Sequence, residues 1–161
     1  MVIREATEND TNIIQQITRE AFWEARHLKP VTGALKEKEE EIFQFLKEEH
    51  QAAFLGTDHH EPVAALRCTL KENELYLSRL AVRPAARGLG WGNALLLHAE
   101  AKARAHRKSF MSLKVRKDEE KHVPRYQHLG YDITAERTIT RFDGGKIAIF
   151  EMHKTLPVGD S

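Results

Sequence analysis

Apolar residues in the first third of the chain recur at the spacing of amphipathic helices. One such stripe predicts a helix through about residue 25, after a short strand over residues 2–6. Thr7 and Asp10 stand between them in the Thr-x-x-Asp pattern of a capping box. A second stripe predicts another helix after Gly33. The positions of the two stripes are Ile13, Ile14, Ile17, Ala21 and Phe22, then Ile42, Phe45, Leu46 and Glu49.

From residue 51 the pattern changes to the alternation and short apolar runs of β-strands. Strands are predicted over residues 52–57, 62–70, 74–82, 109–115, 132–140 and 146–154. Strand 74–82 is apolar on both faces near its end, which is typical of a central strand covered on both sides. A helix over 91–107 and a short helix over about 119–129 complete the order β-α-α-β-β-β-α-β-α-β-β. This order predicts a mixed α/β sheet.

Individual residues in these elements carry further expectations. The long helix is expected to bury an apolar stripe, and the short one to end at Gly130, a common residue just after a helix. The run KEKEEE over residues 36–41 is expected to be a solvated helix face. The expected stripe of the long helix consists of Ala94, Leu95, Leu97, His98 and Ala101.

Composition indicates one ordinary globular domain. The 161 residues suit a single domain over 1–156 with a short tail over 157–161. Lys and Arg (25) nearly balance Asp and Glu (24), so no overall charge favours nucleic acid or a membrane. The single cysteine, Cys68, excludes an internal disulfide, and the charged start MVIREATEND does not resemble a secretory signal, so a cytoplasmic location is expected. The nine histidines show no metal-ligand spacing, and no metal is expected.

The chemically informative segment follows strand 74–82. Pro84 breaks the strand, Arg87 follows, and Gly88, Gly90 and Gly92 alternate before the long helix begins. Alternating glycines let successive backbone N–H groups converge on an anion, and a helix N-terminus adds unpaired donors and partial positive charge. A pyrophosphate suits such a site, although a purely structural turn is the alternative. A P-loop lysine is absent, and Asn93 stands where a dinucleotide fingerprint needs a small residue.

These residues resemble the GNAT N-acetyltransferase superfamily. Its signature, Arg/Gln-x-x-Gly-x-Gly/Ala after a strand, matches the segment Arg87-Gly88-Leu89-Gly90-Trp91-Gly92, and RYQHLGY over 125–131 is similar to the family's Tyr-x-x-x-Gly-Phe. The resemblance implies the acyl-CoA N-acyltransferase fold, an α/β fold with a mixed, mostly antiparallel central sheet flanked by helices. It also implies acetyl-CoA as the acyl donor, a primary amine as acceptor, and homodimers in many members.

The resemblance also implies roles for particular residues. The pantetheine arm is expected along the strand end formed by Leu80, Ala81 and Val82, and the CoA pyrophosphate on the loop. Tyr126 stands at the position of the family's general acid, while Tyr76 replaces a glutamate base that some members carry. Glu74, two residues earlier on the same strand face, is a candidate base through a water. The loop residues expected to bind the cofactor are Arg87, Gly88, Leu89, Gly90, Trp91, Gly92 and Asn93.

Several questions stay open at the level of sequence. Pro124 predicts that the short helix begins late, near Val123, which affects the position of Tyr126. Trp91 packs on the helix or contacts the cofactor. The acceptor is a small molecule or a protein or peptide amine, and a non-catalytic acyl-CoA sensor is the alternative to an enzyme. Four carboxylates offer a weak attraction for a cationic amine: Glu20, Glu24, Glu136 and Asp143.

Overall fold

The computed structural model describes residues 1–141 and 143–157, and its framework is a seven-stranded sheet. The strand order across the sheet is β1-β2-β3-β4-β5-β7-β6, which puts β4 in the centre as predicted. Five of the six neighbouring pairs are antiparallel, and β4 with β5 is parallel. The strands are β1 (Val2–Glu5), β2 (Gln51–Asp58), β3 (Glu61–Leu70), β4 (Glu74–Val82), β5 (Phe110–Arg116), β6 (Asp132–Thr140) and β7 (Lys146–Thr155).

Four α-helices cover the two faces of this sheet: α1 (Thr11–Phe22), α2 (Glu39–Lys47), α3 (Trp91–Ala105) and α4 (Val123–His128). An apolar cluster joins α1 and α2 to one face, and a larger cluster joins α3 and α4 to the other. No helix in the described part of the chain has the length and apolarity needed to cross a bilayer. Of the predicted tail over 157–161, all but Pro157 lies outside the described residues.

The N-terminal helix and the late start of α4 confirm two local predictions. Thr7 and Asp10 form the capping box, now around a single 3₁₀ turn that leads into α1. Pro124 lies in the first turn of α4, where its missing N–H costs no helical hydrogen bond. Gly130 follows the end of α4 with φ +99°, the left-handed conformation that favours glycine.

A β-bulge interrupts β4 in its second half. Ser78 pairs with Arg67 on β3, and the register then resumes at Ala81 opposite Ala65, so β4 contains an extra residue. Arg79 lies in this interruption with φ +53°, an uncommon conformation for any residue other than glycine. Because one residue is inserted, the alternation of side chains shifts, and Ser78 and Arg79 both lie on the α1/α2 face.

The same part of β4 also leaves β5. The parallel pairing joins Glu74–Tyr76 to Phe110–Ser112 and then stops, while β5 stays paired with β7 along its whole length. From Leu77 to Val82, therefore, no strand in the described part of the chain pairs with the β5 side of β4. A wedge opens between two central strands of the sheet.

The buried face of α3 differs from the predicted one. Leu97 is 59% exposed, and His98 and Ala101 are also exposed, so the predicted stripe was wrong at these three positions. Three leucines in a row, 95–97, define no single stripe, and the docking of α3 on the sheet selects the side that is buried. The buried apolar positions are Trp91, Leu95, Leu96, Ala99 and Ala103.

The expected solvated face at residues 36–41 was also wrong in part. Helix α2 begins at Glu39, so the first half of the run precedes the helix, and Glu49 lies beyond its end. Glu37 accepts hydrogen bonds at 2.5 and 2.7 Å from both terminal nitrogens of Arg67, whose side chain is 3% exposed. A bidentate, buried ion pair thus anchors the α1–α2 segment to β3.

Removal of one partner of this pair tests its importance. We expect Glu37→Ala to lower the free energy of unfolding by about 3 kcal/mol, because Arg67 would keep a buried charge without a carboxylate. Urea denaturation measures the change. Glu40→Ala, an exposed site on the same run, is the matched control and should stay within about 0.5 kcal/mol of the wild type. Equal losses of unfolding free energy in the two variants would contradict the stabilising role of the Glu37–Arg67 ion pair.

Candidate active site

Unpaired backbone donors mark the turn from β4 into α3. Within the described part of the chain, none of the backbone N–H groups from Gly88 to Asn93 donates to a protein acceptor. The first N–H bonded within the helix region is that of Ala94, which donates to the carbonyl of Gly90 at 3.0 Å. Six consecutive donors therefore stand at the positive end of a 15-residue helix. This arrangement suits a phosphate or another anion with several oxygens.

Two glycines in this turn adopt conformations that other residues avoid. Gly88 has φ +78° and Gly90 has φ +91°, both in the left-handed region. A Cβ built on either residue would meet no atom within 4 Å, so the space in front of the turn is open. Glycine is needed here for its backbone conformation, and the open side gives a bulky anion access to the amides.

The structure brings the end of β4 to this turn. Leu80 and Val82 pack on the α3/α4 face, and a Cδ2 of Leu80 lies 3.8 Å from a Cβ built on Gly92. Ala81 points to the opposite face and is buried below α1 and α2. The predicted segments Leu80–Val82 and Gly88–Asn93 thus meet at the mouth of the β4–β5 wedge.

Side chains of the turn itself serve different purposes. Arg87 donates to a carboxylate oxygen of Glu24 at 2.9 Å and to the carbonyl of Ala21 at 3.0 Å, which links the turn to the end of α1. Trp91 is 3% exposed and packs over Gly56 of β2, where an added Cβ would come within 2.6 Å of the indole ring. The indole of Trp91 is thus part of the core between α3 and β2. Leu89 is 61% exposed.

Tyr126 lies on α4 against the same apolar cluster as Leu80 and Val82. Its ring contacts that of Tyr131 edge to face, with 6.0 Å between centroids. Burial raises the pKa of the Tyr126 phenol above its ordinary value, although the nearby guanidinium of Arg125 opposes that shift. The phenol therefore keeps its proton at neutral pH.

Glu74 lies away from these groups. It stands at the beginning of β4, where β4 and β5 are still paired, and accepts a hydrogen bond from Ser112 Oγ at 3.1 Å. Lys71 Nζ is 3.8 Å from the same carboxylate. Six residues separate Glu74 from Leu80, or about 20 Å of extended strand. The structure therefore does not bring Glu74 to the turn. Tyr76 lies on the same face of β4 as Glu74, and both side chains line one small cavity.

Arg125 is a residue of this site that sequence analysis missed. Its guanidinium lies against Gly92, in the first turn of α3, so that a Cβ added to Gly92 would overlap it. A cation at the positive end of a helix is unfavourable by itself, and an anion on the free amides would offset that cost. The only sequence signal was its place next to Tyr126 in RYQHLGY.

The segment between α1 and α2 lies over the α1/α2 side of the wedge. Arg116 at the end of β5 donates to the carbonyl of Pro30 at 2.7 Å, and Arg141 after β6 donates to the carbonyl of Val31. The four carboxylates that sequence analysis offered as an attraction for a cationic amine each have a basic partner. These pairs are Glu20 with Arg83, Glu24 with Arg87, Glu136 with Lys117, and Asp143 with Arg141 and Lys36.

Comparison with known families and structures agrees with this geometry. The sequence profile of the family described as "Acetyltransferase (GNAT) family" matches residues 16–131. No curated protein matches the sequence significantly.

Solved structures share the fold over nearly the whole chain. The ribosomal-protein-S18-alanine N-acetyltransferase of Escherichia coli has a TM-score of 0.79 at 20% identity, covering 99% of this chain and 96% of that one. The ribosomal-protein-alanine N-acetyltransferase of Brucella melitensis has a TM-score of 0.79 at 17% identity, covering 97% of this chain and 100% of that one. The PaiA N-acetyltransferase of Thermoplasma acidophilum was solved in complex with coenzyme A. It has a TM-score of 0.77 at 14% identity, covering 96% of this chain and 98% of that one. At these identities the likeness shows a common fold.

Two glycines with the same backbone conformation allow a matched test of the turn. Gly90 and Gly144 have φ +91° and +85°, and a Cβ on either meets no atom within 4 Å. Alanine at either site should cost about 1–2 kcal/mol of stability. We expect Gly90→Ala also to weaken coenzyme A binding about tenfold, because strain moves the amides. Isothermal calorimetry measures the affinity.

Gly144→Ala is the control, since Gly144 lies between β6 and β7, away from the turn. Its affinity for coenzyme A should equal that of the wild type. If both variants lose affinity equally, or if Gly90→Ala loses none, the turn does not hold the anion.

Proposed function

The chain belongs to the GNAT acetyltransferase family and is an acyltransferase of that type, and on this premise we propose the reaction that it catalyses. It transfers an acetyl group from acetyl-CoA to a primary amine by direct attack within a ternary complex. The observation that carries the proposal is the run of amides from Gly88 to Asn93, which donate to no acceptor among the described residues and lie beside the open end of β4.

The turn and the end of β4 divide the recognition of the donor between them. The amides of the turn bind the diphosphate of acetyl-CoA, and the guanidinium of Arg125 contributes charge to the same group. Leu80, Ala81 and Val82 present their free backbone edge to the pantetheine arm, whose amides pair with a strand edge as another strand would. A free N–H of β4 in the wedge then donates to the thioester oxygen as negative charge develops on it.

Tyr126 supplies the proton that the departing thiolate needs. Its partly buried phenol has a raised pKa and so remains protonated at the pH where the amine reacts. The adjacent apolar cluster limits water around the phenol, and the edge of Tyr131 restricts its ring. Transfer of this proton to sulfur leaves coenzyme A as a neutral thiol.

The attacking amine enters in its neutral form in this proposal. Glu74 stays the candidate base named from sequence, but its distance along β4 from Leu80 leaves direct proton transfer out of reach. A water chain from Glu74 would have to span that distance. We therefore assign no fixed carboxylate to the proton of the amine, which departs to solvent through the wedge.

The proposed acceptor is a broad class of amines. The names of the Escherichia coli and Brucella melitensis proteins give the alanine of a ribosomal protein as their acceptor, and this substrate is stated for those two proteins only. For this chain, the proposed acceptor is an amine of a small molecule or of a protein or peptide. Association of two copies through the C-terminal strands stays a prediction.

Release of the coenzyme A thiol tests the proposed reaction. We expect acetyl-CoA to yield thiol at a rate that depends on an added amine, followed with a thiol reagent over a panel of small amines, amino acids and peptides. Reaction without acceptor gives the hydrolysis background. Tight binding of coenzyme A with no acceptor-dependent thiol release across the panel would instead support a non-catalytic acyl-CoA sensor.

Removal of the Tyr126 hydroxyl tests whether this residue is the proton donor. We expect Tyr126→Phe to lower kcat at least about a hundredfold with little change in KM for acetyl-CoA. Tyr131→Phe is the control, since that phenol is buried in the same cluster and donates only to Met111 Sδ at 3.7 Å among the described residues.

The pH profile gives a second readout of the same donor. A general acid must be protonated, and burial raises the pKa of Tyr126 above the ordinary value of 10.0. Its contribution to kcat is therefore complete at neutral pH and is lost only as pH rises above about 10. A kcat that falls between pH 7 and 9 in the wild type, with Tyr126→Phe showing the same fall, would assign the proton to another group.

A further inference from the structure

Arg79 is the residue that the β4 bulge inserts, and the bulge directs its side chain to the α1/α2 face. There the guanidinium packs against Gly33 of the α1–α2 segment, with Nη2 2.9 Å from a Cβ built on that glycine. The backbone of Arg79 has φ +53°, a conformation that is costly for an arginine and that concentrates at functional positions.

The positive charge of Arg79 is only partly neutralised by a carboxylate. Glu37 is engaged by both terminal nitrogens of Arg67, and Arg79 Nε lies 3.9 Å from its carboxylate, beyond hydrogen-bond distance. Two guanidinium groups thus share one carboxylate. The side chain of Arg67 is 3% exposed and that of Arg79 is 32% exposed, so Arg79 is the one that solvent or a ligand can reach.

Neighbouring groups do not cancel this excess charge. Burial lowers the pKa of Arg79, and the charges of Arg67 and Arg141 add to that effect, while Glu37 and Tyr76 oppose it. Of the carboxylates farther along the same sheet face, Glu151 pairs with Arg137 at 2.8 Å and Glu74 lies near Lys71. Among the described residues, the surroundings of Arg79 on the α1/α2 face are therefore left with an excess of positive charge.

The position of Arg79 relates it to the acceptor. It lies one residue before Leu80 in the part of β4 that has left β5, and neighbouring residues in a strand are about 3.3 Å apart. An amine that attacks a thioester held along Leu80–Val82 would carry its own substituents into reach of this guanidinium. The planar fork of an arginine fits a carboxylate through two parallel hydrogen bonds.

We propose that Arg79 binds a carboxylate of the acceptor, so that the preferred substrates are small amines that carry a carboxylate, such as amino acids. This inference rests on the proposed acetyl transfer and narrows its substrate class. It also reverses the charge expected from the sequence, because the acidic residues named there have basic partners and the excess charge beside the wedge is positive.

Matched pairs of acceptors test the inference. For each of several amino acids, kcat/KM is compared with that of the corresponding carboxamide, which keeps the amine and side chain but lacks the negative charge. We expect the wild type to prefer the carboxylates about tenfold or more. Arg79→Asn should reduce this preference to about twofold, and Arg79→Lys should retain part of it. Asn tolerates the positive φ of the site, which protects the fold.

Arg104→Asn, on the exposed side of α3, is the matched control and should keep the wild-type preference. Affinity for coenzyme A should be the same in all four proteins. A ratio is insensitive to partial loss of folded protein, so a purely structural role of Arg79 would lower both rates and leave their ratio unchanged.

The outcomes separate the two proposals. If no amine supports thiol release, acetyl transfer itself is wrong. If amines react but the wild type treats acids and carboxamides alike, the proposed reaction stands and the role of Arg79 is overturned. That role is also overturned if Arg79→Asn retains the full preference or lowers both rates equally.

Discussion

The early separation of β4 from β5 is the constraint on which the rest of this structure depends. Two parallel strands in the middle of a sheet would normally pair along their length, yet these pair over three residues only. The inserted Arg79 bends and twists β4 at that point, as bulges do. Because β5 remains paired with β7 along its whole length, β4 alone loses hydrogen bonds, and the proposed function uses its free edge to bind the pantetheine arm.

Around this wedge the two faces of the sheet take different tasks. On the α3/α4 face, apolar side chains join Leu80 to Tyr126, and the amides of the β4–α3 turn open toward solvent. On the α1/α2 face, arginines from β3, β5 and the end of β6 hold the α1–α2 segment by its carbonyls and by Glu37. In the proposed reaction, acetyl-CoA meets the backbone N–H groups of one face, and the amine acceptor meets the charged side chains of the other.

Local features of the sequence were sufficient for most of the fold and for the turn. Helix and strand periods depend on neighbours a few residues apart, and so the element order, the capping box at Thr7 and the late start of α4 at Pro124 agree with the structure. The alternating glycines 88, 90 and 92 are equally local, because a positive φ and an exposed amide are properties of the segment itself.

Contacts between distant segments could be decided only by the tertiary structure. Whether Leu96 or Leu97 is buried depends on how α3 docks, and whether Glu37 is solvated depends on Arg67, 30 residues away. The same holds for Trp91 over Gly56 and for the charge left on Arg79. The sequence by itself thus determined the elements and the glycine-rich turn, through short-range patterns. Only the folded chain decided which charges were neutralised and which were only partly matched, because most of these pairs join residues far apart in sequence.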